Sequence, residues 1–139
     1  MTTLQLRPEF FDIYLELAID FALPLRMVGA RLESRLGFPA AELAEGAGAI
    51  FSDRSITLPA GSGPGRLEAT LEALEPGVTE LHLRPAIDTP ELRALTADWE
   101  ERVGDYGLLC GTPNLRQVAE KAGVNVIGFR PLRNLARSS

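Results

Sequence analysis

Gly77-Val78-Thr79-Glu80-Leu81-His82-Leu83-Arg84-Pro85-Ala86, running on through Ile87-Asp88-Thr89-Pro90-Glu91-Leu92-Arg93-Ala94-Leu95, is the stretch on which the fold turns. Its first half alternates. Thr79, Leu81 and Leu83 fall on one face of a strand, and Val78, Glu80, His82 and Arg84 on the other. Pro85 has no N–H to give to a ladder, so the strand is expected to stop there. The polar face then carries His82 and Arg84 to the strand's carboxyl end, which is where parallel α/β folds bind ligands. The same alternation also describes an ordinary strand with one face in water.

Downstream, Asp88 and Thr89 can cap a helical turn that opens on Pro90 and Glu91. Thr96–Leu109 reads as a helix with Trp99, Val103 and Tyr106 on one side, and Asn114–Ala122 as another, stopped by Gly123. Val124–Phe129 reads as a last strand, and the basic tail from Arg130 as a short helix. Upstream, Arg66–Leu74 places Leu67, Leu71 and Leu74 at i, i+4 and i+7 of an amphipathic helix, and Pro76-Gly77 closes it.

Before that, Thr57–Gly65 reads as a Gly/Pro loop. Its Gly61-Ser62-Gly63-Pro64-Gly65 precedes a helix, but it lacks the Lys-Ser/Thr ending of a phosphate-binding loop and the spacing of a dinucleotide fingerprint. Ala49–Phe51 reads as a buried strand. Pro39–Glu45 and Ala30–Leu36 read as short helices, and Leu23–Val28 as a strand carrying Arg26, either toward solvent or at a site. Pro8–Phe21 reads as a helix with Phe11, Tyr14, Leu15, Ala18 and Phe21 as its apolar stripe.

The alternation of helix and strand predicts an α/β fold, a mostly parallel sheet with crossover helices, in one domain over residues 1–139. A complete (β/α) barrel takes about 250 residues, so a partial one is the most this length allows.

Composition narrows the function. At 45% hydrophobic the 139-residue chain can bury a core, and a net charge of −5 with no basic stripe argues against nucleic acid. No run approaches the length of a membrane span, and no secretion signal opens the chain; a cytoplasmic location is the expectation. One cysteine, Cys110, forbids an intrachain disulfide. With His82 as the one histidine, no Cys/His zinc cluster can form. Carboxylates alone can hold a hard cation such as magnesium, but no spacing groups them. A Ser52-Asp53-His82 triad can be drawn, without a nucleophile elbow to support it.

The central stretch also resembles a segment of the YdjC-like (ChbG/HpnK) carbohydrate deacetylases. The resemblance continues through Asp98-Trp99-Glu100-Glu101-Arg102-Val103-Gly104-Asp105-Tyr106, Ala122-Gly123-Val124 and Ile127-Gly128-Phe129-Arg130-Pro131-Leu132-Arg133. Arg7-Pro8-Glu9-Phe10 and Leu23-Pro24-Leu25-Arg26-Met27 join it upstream. It spans nearly the whole chain but covers the carboxyl-terminal part of the family.

The resemblance implies a partial, TIM-barrel-like (β/α) barrel of the polysaccharide-deacetylase (NodB-like) type. It implies a relation to metal-dependent removal of acetyl groups from N-acetylated sugars. A divalent metal, magnesium or zinc, serves the full-length family, on an aspartate and histidines from its amino-terminal part. No such motif stands in this chain, so no cofactor is expected in it, and no activity alone.

Arg84, in Arg84-Pro85, stands where the family usually has the histidine of a His-Pro pair. An arginine does not exchange protons near neutrality, but it can hold a carboxylate or a developing oxyanion. The expected substrate contacts are Arg26, His82 and Arg84, with an N-acetylated sugar as the ligand and neither nucleic acid nor membrane as partner. Open sheet edges make a homo-oligomer an expectation. The resemblance also sets Met1 just past the family's last metal histidine, so the expectation is that DNA upstream encodes the remainder. The competing reading is a non-catalytic carbohydrate-binding or protein-interaction α/β domain.

Overall fold

The computed structural model of the chain describes residues 7–27 and 36–138. Over these it is an α/β protein with seven helices and a small two-stranded parallel sheet. The helices are α1 (Pro8–Asp20), α2 (Ala40–Gly46), α3 (Gly63–Glu72), α4 (Pro90–Leu95), α5 (Trp99–Cys110), α6 (Leu115–Lys121) and α7 (Phe129–Ala136). The strands are β1 (Arg54–Thr57) and β2 (Thr79–His82). No described helix is long and apolar enough to cross a membrane.

The chain gathers into two compact units. One comprises Met1–Ser55, Gly77–Glu80 and Ile127–Ser139; the other comprises Ile56–Pro76 and Leu81–Val126.

In the first unit Pro8 starts α1, where its missing N–H costs nothing. Phe11 and Ala18 are buried, with Tyr14 and Leu15 packed beside them, so most of the expected stripe is core. Phe21 is not: it is the helix's C-cap and 62% exposed. Leu25, Met27, Ala40 and Ala44 complete this core, and Phe11 meets Phe38 at 5.4 Å between ring centroids. Burying a residue such as Phe11 or Leu25 contributes about 1.5–3 kcal/mol.

Two expected strands of this unit shrink to one parallel bridge, Leu25 with Phe51, in which the Leu25 N–H reaches the Ile50 carbonyl at 2.7 Å. The expected helix over Ala30–Leu36 lies outside the described residues except at Leu36, which is in a turn.

The strand that pairs with β2 is instead Arg54–Thr57, which ends where the expected loop begins. The Arg54 N–H bonds the Val78 carbonyl at 3.2 Å, and farther on the Leu58 N–H bonds that of His82 at 3.0 Å. Gly77, just before β2, takes a φ of +128°. A Cβ there would lie 2.7 Å from Asp53 Oδ2, the oxygen that accepts the Val78 N–H at 2.6 Å. Glycine is what lets the chain turn so close to that carboxylate.

In the second unit α3, α5 and α6 pack on one another. Leu58, Leu67, Leu71, Leu108, Val118 and Ala119 are buried together, and Leu74, Leu81 and Leu83 lie against them. The inward face of β2 is therefore the one its alternation predicts. Helix α3 starts at Gly63, three residues earlier than Arg66, because Pro64 suits a first turn. The buried positions of α5 are Asp105 and Leu108, whereas Tyr106 is exposed and Trp99 and Val103 are partly so.

Asn114 caps α6 with a capping box: its side chain accepts the Gln117 N–H, and the Gln117 side chain accepts the Asn114 N–H. The expected strand Val124–Phe129 is absent. The Val124 N–H turns back to the Ala119 carbonyl at 2.8 Å past Gly123 in the left-handed region, a helix stop rather than a ladder, and Phe129 already begins α7.

Candidate functional site at the end of β2

β2 ends at His82, earlier than Pro85 requires, because the next polar residue gives its N–H elsewhere. The Arg84 backbone N–H goes to Asp105 Oδ2 on α5, at 3.1 Å. Two residues on, the Ala86 N–H bonds the Arg102 carbonyl at 3.0 Å. The segment leaving the strand is thus held against α5, and Arg84 reaches a carboxylate there: its Nη1 is 3.2 Å from Asp98 Oδ2.

Asp98 gathers three partners. Besides Arg84, the Arg102 Nε donates to Oδ1 at 2.8 Å from one helical turn along, and the Thr96 hydroxyl donates to the same oxygen. These hold its carboxyl down to about 2 from 3.8: the Arg102 hydrogen bond acts most, then that of Thr96, partly opposed by desolvation, with the charges of Arg102 and Arg84 adding less. The same pairing raises Arg102.

Beneath this pair Asp105 is 1% exposed. Its Oδ2 holds the Arg84 N–H, and its Oδ1 has no hydrogen-bond partner among the described residues. A buried carboxylate oxygen left so is costly and fixes the local backbone only through the bond its neighbour makes.

Nearby in sequence, Thr89 caps α4, accepting the Leu92 N–H at 3.2 Å as its position before Pro90 predicts. Arg93 makes a two-pronged pair with Asp88, at 2.7 and 2.6 Å, and lies over the Trp99 ring at 4.7 Å from its centroid. One face of that indole is therefore already covered. The same unit carries a shallow cavity of about 380 Å³, lined mainly by Gly61, Gly63, Pro64, Gly104, Gly107 and Leu108.

The three expected contact residues divide. His82 and Arg84 belong to the second unit, His82 as the last residue of β2 and Arg84 in the segment beyond it. Arg26 belongs to the first unit. There its Nε is 2.5 Å from Glu80 Oε1 and its N–H meets the Tyr14 hydroxyl at 3.1 Å. The drawn Ser-His-Asp triad finds Ser52 buried and Asp53 holding the Val78 N–H.

Sequence reasoning missed Asp98, Arg102 and Asp105 as parts of this site. Their spacing of i, i+4 and i+7 on one helix carried the signal. Chemically the arrangement is an exposed arginine leashed to a carboxylate at a strand end. The arginine can meet an anionic or hydroxyl-rich group but does not itself exchange protons near neutrality.

No group of three or more His, Cys, Asp or Glu able to hold a metal occurs among the described residues. No protein-family model and no curated protein matches the chain.

Proposed function

We propose that the chain is a degenerate or truncated relative of the YdjC-like carbohydrate deacetylases. In this reading it carries the carboxyl-terminal part of their (β/α) barrel and does not deacetylate sugars alone. The observation that carries the reading is the collinear string from Gly77 through Tyr106, with Arg84-Pro85 at the position of a His-Pro pair.

The divalent metal of the family does not fit the described residues, which offer no cluster of ligands for it. What this chain contributes is a rim at the end of β2. Arg84, half-exposed and paired with Asp98, is suited to hydrogen-bond a sugar hydroxyl or an amide oxygen, with His82, the last residue of β2, two residues before it.

The second reading, a non-catalytic carbohydrate-binding or protein-interaction domain, is favoured by the same arginine. It is held in place as a contact residue would be, and it cannot act as a general acid or base near neutrality.

Titration calorimetry with N-acetylated chito-oligosaccharides, beside an acetate-release assay with added magnesium or zinc, tests the proposal. Binding that weakens in Arg84→Ala, without acetate release, is the expected result. Release by the chain alone overturns the inactive reading. No binding of any oligosaccharide overturns the sugar site and leaves the interaction domain.

A further inference from the structure

The first unit leaves two helical faces uncovered, and their charges are opposite. On α1, Phe10, Ile13 and Leu17 recur at helical spacing and are 44%, 54% and 49% exposed, and Phe21 continues the line. The helix buries Phe11 and Ala18 on one flank of this stripe, so the apolar arc is much wider than its own core covers. The polar remainder is wholly acidic: Glu9, Asp12, Glu16 and Asp20, with no Lys or Arg in the helix.

Helix α7 is its counterpart. It is strongly amphipathic, with Phe129 and Leu135 exposed and Leu132 beside them. Its charges are Arg130 and Arg133, with Arg137 at the C-cap and no acid. Among the described residues none of these acids or arginines forms an ion pair. Arg133 has a buried Nε with no acceptor.

Exposed apolar surface of this extent marks a contact. An acidic rim on one face and a basic rim on the other say what the contact is with. We propose that α1 of one copy docks on α7 of a second copy, and α7 of the first on α1 of the second, in a two-fold dimer.

The symmetry matters: each chain then offers both faces, and the two contacts are equivalent. Together they bring the buried area toward the roughly 800 Å² per partner that a stable interface takes, which one short helix pair alone does not reach. This inference stands on α1 and α7 and does not depend on the proposed function.

Light scattering on the full chain across a wide range of concentration, at low and high salt, tests it. The wild type should run at twice the chain mass and dissociate more readily in high salt. Glu9→Lys/Glu16→Lys places like charges across both contacts, and so does Arg130→Glu/Arg137→Glu; each should weaken the dimer by more than about tenfold.

Mixing the two variants re-pairs every reversed charge and should restore a mixed dimer, as should both reversals in one chain. That recovery separates a lost contact from a lost fold, which circular dichroism on each variant checks in parallel. A monomeric wild type, a dimer indifferent to both reversals, a mixture that stays monomeric, or open-ended growth in place of a dimer each overturns the proposal.

Discussion

Asp105, almost wholly inside the second unit, accepts the backbone N–H of Arg84 at 3.1 Å, so a side chain of α5 decides where β2 ends. Asp105→Ala leaves that N–H without its acceptor and should cost about 1–3 kcal/mol in urea unfolding. Asp105→Asn keeps an acceptor oxygen in place and should cost less. Equal losses in the two variants would show that the bond is not what Asp105 contributes.

Asp98 should make the protein acid-sensitive. Its carboxyl is depressed in the folded state from 3.8 to about 2, chiefly by Arg102. A depressed carboxyl stabilises the fold fully above its unfolded value, and that stabilisation is lost as pH falls through the folded one. Wild type should therefore lose stability between pH about 5 and about 2, and Asp98→Asn should lose less over the same range. Denaturant midpoints of the two proteins along that range check it. Parallel curves would mean that Asp98 is not held by its arginines in solution.

Gly77→Ala should destabilise the first unit by about 1–3 kcal/mol, since alanine rarely takes such a φ. Its Cβ would also meet Asp53 Oδ2 at 2.7 Å. Adding Asp53→Ala removes the clash but not the backbone strain. The double variant should thus be less damaged than the sum of the two single ones. Thermal melts of the four proteins measure this, and strict additivity would contradict the contact.

Arg84→His puts an imidazole after β2 without supplying metal ligands, and the described residues offer no group of three or more to hold a metal. The variant is expected to release no acetate from N-acetylated chito-oligosaccharides with magnesium, zinc or cobalt present. Metal-dependent release would mean that ligands come together where the described residues group none.

Where one local rule decides an element, the sequence was readable. Pro8 suits the first turn of α1, Thr89 caps α4, and Asn114 stands at the start of α6, each through its nearest neighbours in sequence. The alternation of β2 likewise sends Leu81 and Leu83 to the core as read.

What failed depended on which partner a backbone group takes. Arg54-Ser55-Ile56-Thr57 has no apolar run, and it becomes a strand because β2 offers it a ladder. Val124–Phe129 has the composition of a strand, but Val124 spends its N–H on ending α6. The place of Arg84 near the strand's end was legible, whereas Arg26 was read from its own short strand with no view of Glu80. The Asp98-Arg102-Asp105 row lay in plain view, but nothing in the sequence said which face of α5 would meet Arg84.

The chain has one tryptophan, Trp99, and it sits under the Arg93 guanidinium that Asp88 holds. The second unit therefore holds the chain's one indole and the first holds none. Indole emission follows the α4–α5 corner alone: release of Arg93, by acid on Asp88 or by unfolding, changes the light coming from that ring. Melting of the first unit is dark in the tryptophan channel. Comparing tryptophan emission with backbone circular dichroism through one denaturation therefore tells, without any label, whether the two units come apart at one midpoint or at two.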